Sequence, residues 1–280
     1  MAKRKQKTPP AYAPAAHLVK NENLEAHARY DDVYTEPGLG TITAIRPAGE
    51  HQFSVESSGR GNLLLEIWSD TMVRFRYTVG PAGRDFSYAR TESARPQGGT
   101  VAVKHNKSSY TLVTAKLRIT LKKNGGGVRI TDKSGKRILH ESPTGFYART
   151  TLHRGIDQVR MQFTTTKQEA FYGLGDKAWV TDLQGTKWSN YNEDAFGYPD
   201  HRETLYRTMP FFYGLRDGLG YGIFLDNSYR SHFDFNSRKD NLGTFWADGG
   251  DLDFYFIYGP DLTKVATQYH ALTGTPELPP

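Results

Sequence analysis

Cysteine is absent from all 280 residues. Its absence excludes a disulfide framework, thiolate metal sites and a cysteine nucleophile, and fits a reducing compartment. Long apolar runs are missing too. No segment approaches the roughly 18–20 apolar residues that a membrane-spanning helix needs, so a soluble chain without a membrane partner is expected. The amino terminus, "MAKRKQKTPPAYAPAA", starts basic but has no apolar run behind it. It does not read as a signal peptide, and a cytoplasmic location is expected.

Several chemical signatures are also absent. No "GxxxxGK[ST]" occurs, and the glycine clusters "GLGTIT" and "GLGYG" lack the spacing or the following helix that phosphate binding requires. No "GxSxG" elbow occurs. The nine histidines are scattered, and no pair has metal-ligand spacing on a predicted element. No metal or cofactor is implied. The net charge of +6 raises the question of nucleic acid, but "KRKQK" at 3–7 supplies four of those charges within a Pro/Ala-rich stretch. No aromatic-basic binding motif accompanies it, so no nucleic-acid partner is expected.

What is present is strand pattern. Residues 1–25 read as a disordered basic tail. In "NLLLEIWSDTMVRFRYTV" (62–79), Val73, Phe75, Tyr77 and Val79 alternate with Arg74, Arg76 and Thr78, which predicts one buried and one wet face. "KLRITLKK" and "QVRMQFTT" repeat the alternation, and Gly125–Gly127 and "DKSGK" mark turns. "TMPFFYGLRDGLGYGIFLDN" (208–227) predicts a hairpin buried on both faces around "RDGLG". In "GGDLDFYFIYG" the apolar Leu252, Phe254, Phe256 and Tyr258 alternate with Asp251 and Asp253, which are expected on a wet face. One helix is predicted near the end. Asp261 lies in its first turn, Leu262, Val265, Ala266, Tyr269 and Leu272 form a stripe, and Gly274 is the C-cap. Many short strands with Gly-rich turns and one terminal helix predict an all-β fold, a large antiparallel β-sandwich with a short C-terminal helix.

The stretch "WSNYNEDAFGYPDHRETLYRTMPFF" (188–212) crowds aromatic rings, amides and carboxylates before an apolar strand. Such a loop suits a sugar, because carboxylates accept hydroxyl hydrogens and aromatic faces pack on pyranose C–H groups. The neighbouring acids Glu193 and Asp194 do not form a glycosidase pair by adjacency alone, since that chemistry needs two carboxyls facing each other across the substrate.

Four stretches in order, "FYGLGDK" (171–177), "WSNYNEDAFGY" (188–198), "LYRTMPFFYGLRDGLGYGIFLDNSYRSHFDF" (205–235) and "GGDLDFYFIYGPDLTKVATQYHALTGTPELPP" (249–280), resemble glycoside hydrolase family 31, the α-glucosidases, α-xylosidases and relatives. The resemblance is to the amino-terminal β-sandwich domain. It is strong from about 170 to 280 and weaker from 45 to 165, where it rests on strand pattern and "MVRFRY". It implies a galactose-mutarotase-like β-supersandwich over 26–274 and, at 275–280, a linker to a catalytic (β/α)8 barrel. It also implies that Asp194 contacts an α-linked oligosaccharide or glycoside, with Trp188 and Tyr198 shaping the loop. The family usually has Glu after "FYGLG", where this chain has the shorter Asp176.

The family's nucleophile and acid/base carboxylates, which carry out double displacement, have no counterpart in these 280 residues, so no catalytic residue is assigned and no hydrolysis by this chain alone is expected. A stand-alone carbohydrate-binding module is the alternative. A mutarotase-like epimerase would need a histidine and a glutamate converging on the sugar, for which His201 with Glu203 or Glu193 is the one nearby set.

Overall fold

The computed structural model describes residues 34–151 and 156–275. The tail expected over 1–25 and the last five residues of the expected linker lie outside the described residues. In chain order the strands are β1 (Tyr34–Pro37), β2 (Ile42–Pro47), β3 (Gln52–Ser57), β4 (Gly61–Ser69), β5 (Met72–Val79), β6 (Ala102–His105), β7 (Ser109–Val113), β8 (Leu117–Lys122) and β9 (Val128–Asp132). They continue with β10 (Arg137–Thr151), β11 (Ile156–Thr164), β12 (Ala170–Gly175), β13 (Lys187–Asn190), β14 (Thr208–Arg216), β15 (Leu219–Leu225), β16 (Ser231–Phe235), β17 (Leu242–Ala247) and β18 (Leu252–Gly259). Helix α1 (Leu262–Thr273) follows.

Two sheets result. A 10-stranded sheet runs β13-β16-β17-β11-β10-β9-β8-β7-β6, with β1 also paired to β10, and an 8-stranded sheet runs β12-β14-β15-β18-β5-β4-β3-β2. The pairings are antiparallel throughout, from β2–β3 and β4–β5 to β14–β15 and β16–β17. Alternating apolar residues from both sheets meet between them: Phe245 meets Phe254 edge to face at 5.0 Å, and Phe171 stacks on Phe235 at 4.5 Å. Each fully buried ring of this kind contributes roughly 1.5–3 kcal/mol. The fold is thus an antiparallel β-sandwich with one short C-terminal helix.

Local chemistry explains the joints. Asp217 and Gly218 form the two-residue turn between Arg216 and Leu219 with φ of 50° and 74°, the positive values that this tight hairpin turn requires. Asp261 caps α1 by accepting from the Lys264 amide at 2.9 Å, and the Gly274 amide closes the other end on the His270 carbonyl. Val265 and Leu272 of the predicted stripe are buried against Trp68, Phe211, Phe224 and Tyr255.

The second face of the 8-stranded sheet departs from expectation. The alternation puts Arg74 and Asp253 on a wet face, yet both are buried. Arg74 pairs with Asp253, Glu66 and Asp85, while Arg76 pairs with Asp251. The cause is a covering layer: the stretch joining β5 to β6 and α1 both lie over this face, so its charges are buried as a paired network. The 208–227 hairpin follows the same logic. β15 is buried almost throughout, whereas Met209 on β14 remains exposed.

Candidate functional site

The aromatic, amide-rich loop leaves the sandwich between β13 and β14, and the sequence before it prepares its footing. At the end of β12, Gly173 and Gly175 have φ of 121° and 80°. A Cβ on Gly173 would meet the Phe211 carbonyl at 2.6 Å, and one on Gly175 the Arg207 carbonyl at 2.6 Å, so these glycines let β12 press against the strand that closes the loop. Asp176 then takes Arg207 from both sides: its amide donates to the Arg207 carbonyl at 2.9 Å and its carboxylate accepts from the guanidinium at 3.1 Å. The shorter acid therefore still reaches a basic partner.

Lys177 ties the two arms of the loop together. Its amine donates to the Ser189 carbonyl at 3.0 Å and the Glu203 carbonyl at 2.7 Å. Burial pulls its pKa down to about 8, opposed by the charges of Glu203 and Asp176. Inside the arms, Asn192 accepts from the Thr208 amide and hydroxyl, each at 2.9 Å. The Glu193 amide donates to the Leu205 carbonyl at 2.9 Å. The Glu193 carboxylate accepts from Arg202 at 2.6 Å and from the Thr204 hydroxyl, and these bonds hold its pKa below the usual carboxylate range. Ala195 is buried, and the Tyr206 hydroxyl donates to its carbonyl.

Asp194 sits between these two fixed neighbours. It is exposed and makes no hydrogen bond or ion pair among the described residues. Tyr198, 43% exposed, lies on the same loop with its ring 6.3 Å from that of Tyr206. Trp188 is placed differently. Only 3% exposed, it belongs to the core, donates from Nε1 to the Thr186 hydroxyl at 2.6 Å and lies beneath the Lys177 amine. It supports the loop from below and presents no open face. His201 packs on Trp179 at 3.9 Å while Glu193 is committed to Arg202 and Thr204, so an epimerase-like pair of His201 and Glu193 gains no support. No group of three or more metal-ligating side chains is found among the described residues. The Lys177 tie escaped sequence reasoning because a single lysine after a glycine pair carries no periodic signal.

The sandwich that carries this loop has known relatives. Residues 62–234 match the glycosyl hydrolase 31 N-terminal galactose mutarotase-like domain. The chain belongs to this family. Alpha-glucosidase 2 of Bacillus thermoamyloliquefaciens is 30% identical over 82% of this chain, which spans 28% of that relative. Isomaltosyltransferase of Sporosarcina globispora is 28% identical over 65% of this chain and 18% of its own length. Among solved structures, a family 31 dextranase of Flavobacterium johnsoniae complexed with isomaltotriose superposes with a TM-score of 0.77 at 28% identity, covering 88% of this chain and 29% of that one. The chain thus spans less than a third of the length of these family 31 proteins.

Proposed function

We propose that this chain is the N-terminal domain of an α-glucosidase-type, retaining glycoside hydrolase and lends its 191–207 loop to the sugar site. The reading rests on one observation: Asp194 is an unpartnered, exposed carboxylate between two residues that the fold holds in place. Such an acid is already oriented when it meets two adjacent sugar hydroxyls, so little conformational entropy is lost on contact. Tyr198 offers an exposed ring on the same loop, and Trp188 and Lys177 keep the loop from folding away. In this reading the nucleophile and the acid/base carboxylates belong to a following (β/α)8 barrel, where two carboxyls about 5–5.5 Å apart would perform the double displacement. The sandwich domain shapes the site and excludes water, and it supplies neither carboxylate.

The described residues include no helix long and apolar enough to cross a membrane. A cytoplasmic setting goes with the proposal, supported by the cysteine-free composition. The deciding experiment is Asp194→Ala in the full-length native polypeptide, assayed on maltose and isomaltose. A raised KM or lowered kcat with unchanged melting supports the proposal, and unaltered kinetics on both sugars sinks it. The exposed rings of Phe196, Tyr198 and Tyr206 also favour a second reading, direct sugar binding by the sandwich alone. Titration of the 280-residue chain with maltose tests that reading.

A further inference from the structure

Ten of the chain's 36 lysines and arginines lie between residues 102 and 137, together with a single acid, Asp132, of its 30. The rest of the chain carries 26 bases against 29 acids, so this stretch alone accounts for the net positive charge. It folds as the consecutive strands β6 to β9 and the start of β10, at one end of the 10-stranded sheet.

Alternation and register decide where the charges go. Leu117, Ile119, Leu121, Val128 and Ile130 point into the core, which turns Arg118, Lys122 and Arg129 outward. Lys104 stands opposite Thr111, Thr111 opposite Thr120, and Thr120 opposite Arg129. In the next row Arg118 stands opposite Thr131, and Thr131 opposite Arg137. Five cations thus share the outer face with three threonines between them, and the other five are lysines of the connecting turns. The Thr111 and Thr120 hydroxyls lie 3.0 Å apart.

Little neutralises this charge from within. Lys122 and Arg129 converge on Glu141, each at 3.5 Å, and Asp132 accepts from the Ser134 hydroxyl and the Lys136 amide. Lys104, Arg118 and Arg137 are exposed and make no ion pair among the described residues. Like charges this close repel one another, and a ligand that brings negative charge to several of them at once relieves that repulsion.

What the face lacks narrows the partner. Among the described residues no exposed phenylalanine, tyrosine or tryptophan stands on it, so it offers nothing to stack on bases or to insert between lipids. It is a sheet face, with no helix or ribbon projecting to enter a nucleic-acid groove. Hydroxyls set among cations suit a polymer that carries carboxylates and hydroxyls together. Position adds a length. β8 is six strands from β13, about 30 Å along the sheet, so an extended polymer can reach both this face and the Asp194 loop, and a small molecule cannot.

We propose that the outer face of β6 to β10 binds an acidic polysaccharide, with its carboxylates on Lys104, Arg118 and Arg137 and its hydroxyls on the threonines between them. The choice of a glycan rests on the sugar-site reading above, and the charged face stands without it.

The test is titration of the 280-residue chain with polygalacturonate, an α-linked polymer with a carboxylate on each ring, at about 20 mM salt, where exposed charges are little screened. The chain should bind it, and binding should weaken steeply as salt is raised. Lys104→Gln, Arg118→Gln and Arg137→Gln together should weaken binding at least about ten-fold and leave the melting temperature unchanged. Neutralising Lys3, Arg4, Lys5 and Lys7 instead should change it less than about two-fold. No binding by the wild type overturns the proposal, as does a loss that follows the substitutions at 3–7 and spares those on the face. Tighter binding to duplex DNA of equal charge, or to phosphatidylglycerol vesicles, overturns it in favour of a nucleic acid or a lipid surface. Failure of the sugar-site reading shows instead in the kinetics of Asp194→Ala, which this titration does not use.

Discussion

Arg74 and Asp253 meet fork to fork across neighbouring strands, Nε to Oδ1 at 2.8 Å and Nη2 to Oδ2 at 2.5 Å, both side chains buried. The same guanidinium also reaches Glu66 and Asp85 at 3.2 and 2.7 Å, so one cation serves three carboxylates. Arg74→Met would leave Glu66 with only its neutral donors Gln52 and Trp68, and Asp253 with only Arg76 at 3.9 Å. We predict a loss of about 3–5 kcal/mol in urea unfolding. Asp253→Ala should cost less, because Glu66 and Asp85 still neutralise Arg74. Equal losses, or a larger one for Asp253→Ala, would show that the network is not centred on Arg74.

The sequence disclosed this sandwich wherever local signals sufficed. Strand alternation, the Asp217–Gly218 turn and the capped α1 are each set by residues within a few positions of one another. Arg74, Arg76, Asp251 and Asp253 read as solvent-facing for the same reason: alternating charge looks identical whether water or protein covers it. The cover comes from the stretch after Val79, which has no periodicity, and from a helix almost 200 residues later in the chain than Arg74. The 188–212 loop was legible as an aromatic and polar surface. Which ring faces in was not, because Trp188 is turned inward by pairing opposite Phe233 on a strand some forty residues later in the chain, while Phe196 has no strand partner.

A pH dependence follows from Lys177, whose folded-state pKa lies near 8 against 10.5 for the free side chain. Between those values the unfolded chain binds more protons than the folded one, so stability rises with pH across that window. Below pH 8 the buried ammonium costs on the order of 3 kcal/mol. Lys177→Met removes the titration together with two hydrogen bonds. The stability difference between wild type and variant should therefore shift in favour of wild type from pH 8 to pH 10. A difference that stays flat over that range would mean that the two carbonyl contacts hold the amine charged.

The role proposed for Asp194 predicts a change in function and hardly any in stability. With no partner among the described residues, Asp194→Ala should change unfolding free energy by less than about 0.5 kcal/mol. In the full-length polypeptide, losing two hydroxyl contacts should lower kcat/KM about 10–100-fold, equivalent to about 1.4–2.8 kcal/mol. A melting temperature that drops by several degrees would instead identify Asp194 as a structural cap of the loop.

Gly175 offers the opposite separation. Its φ of 80° and the 2.6 Å approach of a Cβ to the Arg207 carbonyl both penalise any side chain, and the Met209 amide would lie only 2.8 Å away. Backbone atoms cannot rotate aside as a flexible side chain would, so Gly175→Ala must part β12 from β14 or shift both. We expect a loss of about 1–3 kcal/mol in stability. Because Asp176 and Lys177 follow directly, the same shift would pull the ties on Arg207, Ser189 and Glu203 and move Asp194 with them. The full-length Gly175→Ala variant should then show both a lowered melting temperature and a raised KM for maltose, whereas Asp194→Ala shows only the kinetic change. If Gly175→Ala melted early yet kept its KM, the loop would hold its position without the β12 footing, and the positioning role given to Lys177 would fail with it.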